Sequence, residues 1–166
     1  MSDAEGATRL TEVLAAARTR LAGVPRERIG ELQEGRRVLG IRRAPRIVDR
    51  GSAWHVGVLL LTDDAVLATG DIVRSRAEVR RGFAAESQRR RAELAAAAQR
   101  GGVPEGETVH IGWTAVDPLA LGASTAPLAL RDGEPLVRWS ARGGYVPLAR
   151  YLDDRVDLLV HPPERA

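Results

Sequence analysis

The sequence predicts an α+β fold: a single domain whose mainly antiparallel sheet is packed by an N-terminal helix pair and one long central helix. Three observations carry that expectation. A 3.6-residue apolar stripe opens the chain, β-branched segments punctuated by tight turns fill its middle and end, and strict βαβ alternation is absent. The 166 residues fit one domain, with 1–36 as a helical arm and 44–160 as the sheet-containing core. A globule of this size buries about 70% of its unfolded surface, so a core of its own is feasible.

Leu10, Val13, Leu14, Ala17 and Leu21 share one helical face, and Gly23 and Pro25 supply the stop, so a helix is expected over 8–22. Pro25 suits the first turn of a second, shorter helix through Ile29 and Leu32, closing near Gly35. Residues 40–44 read as a basic connector. Arg46-Ile47-Val48 is a short strand, and 54–61 a strong one. Asp63-Asp64 then turns the chain into 65–69 as the second arm of a hairpin. Ser75-Arg76-Ala77-Glu78 matches a capping box that opens the long helix, which runs to Gln99 and stops at Gly101-Gly102. Val79, Phe83, Leu94 and Ala98 form its apolar stripe.

Residues 108–113 read as a strand and 117–127 as loop. The turn Asp132-Gly133 joins 128–131 to 135–139 in a hairpin. Pro147 begins a short helix to Leu152, and 156–160 is a last strand.

Absences narrow the chemistry. There is no cysteine, and all 25 basic residues are arginine. Thiolate catalysis, a Schiff base to pyridoxal phosphate, a P-loop lysine and a Ser-x-x-Lys pair are therefore excluded. The longest apolar runs, such as 56–61, are too short to span a bilayer, and the first residues lack the pattern of a secretory signal. The expectation is a cytoplasmic protein with no cofactor, no metal site and no membrane partner.

Net charge is +3, and its distribution says more than its size. Residues 1–100 hold 19 Arg against 13 acids, whereas 101–166 hold 6 against 9. The expected anion-binding set is Arg36, Arg37, Arg42, Arg43, Arg46, Arg80 and Arg81. Such polarity suits an anionic small molecule, an acidic partner, or head-to-tail contacts in a homo-oligomer, as a dimer. Nucleic acid is the less favoured partner, because one Phe, two Tyr and three Trp provide few stacking platforms.

For catalysis the candidates are His55 and His110. Trp54-His55-Val56-Gly57-Val58 and Val109-His110-Ile111-Gly112-Trp113 both place a histidine two residues before a glycine, opposite large apolar side chains. On neighbouring strands the two rings would share a face. With His161 they would make a three-imidazole set of the kind that binds zinc, although buried structural histidines are the simpler reading. Among hydroxyls, Ser75 is expected in a cap and Ser87 within a helix, while Ser124, Thr125 and Ser140 lie in loops. Asp63-Asp64 and Asp153-Asp154 read as solvated turn acids. Arg138, Ser140, Arg142 and Tyr145, around Gly143-Gly144, form a candidate functional loop.

The strings Arg50-Gly51-Ser52-Ala53-Trp54-His55-Val56-Gly57-Val58, Arg80-Arg81-Gly82-Phe83-Ala84-Ala85-Glu86-Ser87 and Val137-Arg138-Trp139-Ser140 resemble a small family of uncharacterised bacterial proteins. Some members of that family are labelled glutaminase. The resemblance covers most of the chain and implies amide hydrolysis, for which His55 or His110 would serve. It brings no catalytic set with it. The well-understood glutaminases need a cysteine or a lysine, and this chain has neither.

Overall fold

The computed structural model describes residues 3–78, 82 and 85–164. In chain order the elements are α1 (Asp3–Leu21), β1 (Glu27–Gln33), β2 (Arg37–Val38), β3 (Ile41–Arg42), β4 (Arg46–Val56), β5 (Leu59–Leu61), β6 (Val66–Ala68), β7 (Asp71–Arg74), α2 (Glu86–Arg100), β8 (Thr108–Ile111), β9 (Thr114–Ala115), β10 (Leu128–Arg131), β11 (Glu134–Arg138), β12 (Tyr145–Pro147) and α3 (Leu148–Val160). The chain is thus mixed α and β with mostly antiparallel pairing. It divides into two compact units, one of Met1–Arg26, Trp54–Ala68 and Thr114–Ala166, the other of Glu27–Ala53 and Thr69–Trp113.

In the first unit, the end of β4 pairs with β5, β5 with β6 and β6 with β9, all antiparallel. A meander of β10, β11 and β12 accompanies them. The apolar stripe of α1 (Leu10, Leu14, Ala17, Leu21) packs with Leu148, Leu152 and Val156 of α3 and with Val56, Leu59 and Leu61 in one core. Burial of such side chains, at roughly 25 cal/mol per Å² of apolar surface, is the main stabilising term. Arg18 is half-buried beside this core and donates to the carbonyls of Thr62 (2.7 Å) and Ala65 (3.0 Å), fixing the β5–β6 turn. Burial lowers its pKa from the usual arginine value.

Arg26 stacks over Trp54 at 3.9 Å and grips both carboxylate oxygens of Asp63, at 2.5 and 3.1 Å. These hydrogen bonds, aided by the charges of Arg26 and Arg18, hold the Asp63 carboxyl below the ordinary aspartate range. A depressed folded-state pKa stabilises above the unfolded value near 4 and loses that contribution as pH falls below it. Asp63→Asn is therefore expected to be less stable than wild type at neutral pH. The two urea midpoints should converge on acidification below about pH 4. The pair is exposed, so the gap is small.

In the second unit β7, β8, β1 and residues 46–53 of β4 form a sheet in that order. Only β1 and β8 run parallel within it. One face carries α2, whose Ala97 and Ala98 pack on Ile47, Val73, Val109 and Ile111. Small residues make that approach close: a Cβ on Gly101 would stand 1.6 Å from the Ile47 carbonyl oxygen.

Several expectations are corrected here. The second member of the N-terminal helix pair is β1, a strand. Its Ile29 and Leu32 have helical spacing, but Gly30 weakens a helix, and pairing with β4 and β8 satisfies the backbone instead. A Cβ on Gly30 would lie 2.6 Å from Ile47 Cγ2, so the sheet packs over that position. The central helix begins at Glu86, not Ser75. Ser75 is fully buried and donates to the Val103 carbonyl (2.8 Å), so its hydroxyl caps no helix. Val79 and Phe83, assigned to the helical stripe, lie outside the described residues.

The strand expected at 54–61 is broken at Gly57, and its first part joins 46–53 in one eleven-residue strand. Residues 156–160 complete α3, where Leu148, Leu152 and Val156 lie on its buried face. Residues 40–44, read as a connector, hold a turn and β3.

Candidate functional site

His110 lies on β8, between Ile72 of β7 and Ile29 of β1. Alternation sends Val109 and Ile111 into the core beneath α2 and His110 to the opposite face. Glu27, two positions before Ile29, rises on that same face, and its carboxylate accepts a hydrogen bond from His110 Nε2. The imidazole is 0% exposed, whereas the Glu27 side chain is 43% exposed. Water therefore reaches the acid and not the base. A carboxylate that orients an imidazole is one half of general-base catalysis, but the base must also meet substrate or water. Sealed from solvent, this ring holds β1 and β8 together in the observed state.

In the first unit His55 is half-buried and donates through Nε2 to the Gly57 carbonyl (2.9 Å) across the β4–β5 turn. The repeated His-x-Gly pattern acquires a local meaning. Gly57 and Gly112 both have φ +66°, so each ends a strand in a left-handed conformation that glycine adopts freely. His161 is exposed at the C-cap of α3. It joins no group of three or more metal-ligand side chains among the described residues.

The loop hydroxyls are engaged locally. Ser140 Oγ accepts from Gly143 N (2.7 Å), and Thr125 Oγ1 donates to the Leu128 carbonyl (2.6 Å). Arg138 donates to the Ala141 carbonyl (2.6 Å), and the Tyr145 hydroxyl to that of Thr125 (2.6 Å). Arg142 is exposed. Residues 138–143 thus form a self-bonded turn, which Tyr145 ties to Thr125. Of the paired acids, Asp153 meets Arg20 at 2.9 Å and Asp63 meets Arg26.

Charge separates between the units. The second holds 15 arginines and 10 acids, net +5, and the first 10 and 12, net −2. Some arginines of the second unit serve its own fold. Arg28 bridges Asp49 and Glu107, both at 3.1 Å, and Arg50 meets Glu31 at 2.8 Å. Hydrogen bonding by Glu107, then by Asp49, raises the Arg28 pKa. Another group, Arg74, Arg76, Arg89, Arg90 and Arg91, lines an open concavity between β7 and α2, interleaved with Asp71, Glu78 and Glu93.

Arg36, Arg37, Arg42, Arg43 and Arg46 behave differently. All five are exposed and, among the described residues, none forms an ion pair. Four belong to a β2–β3 ribbon in which Arg37 faces Arg42 and Val38 faces Ile41. An Arg43 N to Arg36 O bond of 3.3 Å extends it by one rung. Arg80 and Arg81 of the expected anion-binding set lie outside the described residues.

Sequence reasoning missed both the ribbon and the Glu27–His110 contact. The ribbon's turn is Leu39-Gly40, which lacks the Asn-Gly or Asp-Gly signal. Its legible trace is the near-mirror order Arg-Arg-Val-Leu-Gly-Ile-Arg-Arg over 36–43. Comparison with protein-family models, with curated proteins and with solved structures finds no match.

Proposed function

We propose that the chain is a non-enzymatic interaction protein that engages an anionic partner through the arginines of its second unit. The observation that carries this reading is the group Arg36, Arg37, Arg42, Arg43 and Arg46, exposed and without acidic partners among the described residues. Placing Arg37 opposite Arg42 is unfavourable on an isolated ribbon, since like charges directly across a sheet repel. A bound polyanion reverses the sign of that term and receives forked guanidinium hydrogen bonds. The opposite net charges of the two units also support self-association as a homodimer.

Glutaminase-like hydrolysis draws support from the Glu27–His110 contact, and the burial of the imidazole weighs against it.

The test is a titration with long-chain inorganic polyphosphate. Wild type is expected to bind with affinity that falls steeply with salt, as counterion release requires. The quadruple change Arg36→Glu, Arg37→Glu, Arg42→Glu and Arg43→Glu should weaken binding at least tenfold, whereas Arg142→Glu in the first unit should change it less than twofold. Absence of binding by wild type at low salt, or equal effects of the two variants, would remove the proposal.

A further inference from the structure

We infer that the β2–β3 ribbon is a lipid-docking arm, which sinks its aliphatic turn into an anionic bilayer surface while its arginines bind the phosphate headgroups. The inference rests on the anion-engaging reading above and names the class of partner.

The ribbon is aliphatic at its tip and basic behind it, with Arg36 and Arg43 following Val38 and Ile41 on the same face. Side chains alternate along a strand, so the Arg37–Arg42 pair occupies one face and the Val38–Ile41 pair the other. Leu39 crowns the turn at 97% exposure, with Ile41 at 72% and Val38 at 46%. Leu39 also sits at φ +53° beside Gly40 at φ +80°. Leucine is disfavoured in that conformation, and among the described residues no packing offsets the strain. An exposed aliphatic residue held at a strained tip directs attention to whatever covers it.

Depth order identifies the cover. Successive rungs of a ribbon lie about 3.4 Å apart. The aliphatic rung and turn come first, Arg37 and Arg42 one rung behind, and Arg36 and Arg43 two rungs behind. A bilayer surface presents the matching order, with hydrocarbon beneath a plane of phosphates, and interfacial segments bury about 5–10 Å into it. Arginine stems lie along apolar surface while the guanidinium reaches outward to a headgroup. The base of the arm is tight: a Cβ on Gly35 would stand 1.5 Å from the Arg43 carbonyl oxygen. Among the described residues no helix is long and apolar enough to cross a membrane, so the contact proposed is at the surface.

Nucleic acid fits this arm less well. Residues 34–46 contain no aromatic side chain to stack on a base. A duplex groove offers phosphates but no apolar medium wide enough for Val38, Leu39 and Ile41 together.

The experiment is co-sedimentation of the full chain with vesicles of phosphatidylcholine containing one-third phosphatidylglycerol, and with pure phosphatidylcholine. Polyphosphate and duplex DNA titrations run in parallel. Leu39→Asn is the informative variant: it keeps the charge, suits the left-handed turn, and removes the aliphatic tip. Wild type should partition to the anionic vesicles at least tenfold better than to the neutral ones. Leu39→Asn should lower that partition about tenfold while polyphosphate binding stays within twofold. Wild type that binds polyphosphate but ignores anionic vesicles, or Leu39→Asn that partitions like wild type, overturns the lipid arm and leaves the anion reading standing. Failure to bind either polyphosphate or vesicles overturns both. Duplex binding tighter than vesicle binding, and weakened by Leu39→Asn, reassigns the arm to nucleic acid and overturns the lipid proposal.

Discussion

Gly57→Val is expected to destabilise the protein by about 3–5 kcal/mol, the sum of a left-handed backbone penalty, overpacking and a disturbed hydrogen bond. Gly57 has φ +66° in the turn between β4 and β5, and a β-branched residue there is a steric outlier. Space is refused as well, since a Cβ at this position would lie 1.9 Å from the Tyr151 hydroxyl and 3.0 Å from Cζ. The ring has little freedom to retreat. Tyr151 is 7% exposed, and its hydroxyl accepts from Val58 N at 2.9 Å. Moving it would disturb α3 and the turn together. Urea unfolding of wild type, Gly57→Ala and Gly57→Val should give midpoints in that descending order, with Tyr151→Phe falling by about 1 kcal/mol through loss of the acceptor. If Gly57→Val unfolds within about 1 kcal/mol of wild type, the turn is not the strained, close-packed feature described.

How far this architecture is legible in the sequence depends on the range of the forces involved. The stripe of α1 is readable because a 3.6-residue period and the Gly23-Val24-Pro25 stop are local features, and the hairpin around Asp132-Gly133 is readable for the same reason. Residues 27–33 are not. Their apolar spacing is helical, and only the remote strands β4 and β8 supply the hydrogen bonds that make them β. Ser75 misleads similarly. Its capping-box neighbours are local, but the Val103 carbonyl that claims its hydroxyl lies 28 residues away. The strand expected at 156–160 fails through composition, because the β-branched Val156 and Val160 favour strands until the face shared with Leu148 and Leu152 is buried. For the sites the division is the same. The basic character of 36–46 is plain in the sequence. Its folding into a ribbon with an aliphatic rung at the tip and arginine rungs behind it requires the register.

His110→Ala is expected to lower stability by about 3 kcal/mol without altering any amide hydrolysis, and the two readouts together separate a structural imidazole from a reactive one. Deleting a fully buried ring from a strand paired on both sides leaves a cavity that the sheet can collapse into only partly. It also removes the hydrogen bond that ties β8 to Glu27 on β1. Glu27 is 43% exposed, so without the ring its carboxylate turns to water instead of remaining as a buried charge, which keeps the loss below that of breaking a wholly buried ion pair. Glu27→Gln retains an acceptor in place and should cost only about 1 kcal/mol. Ammonia release from glutamine, followed for wild type and both variants, is expected to stay at background throughout. The contrary pattern is specific. If wild type releases ammonia, and His110→Ala abolishes the release while unfolding at nearly the wild-type midpoint, the ring contributes to chemistry and not to packing. The sealed geometry would then be a closed state of an enzyme. Exposure decides between these cases because a proton can be taken only by a base that its substrate can reach.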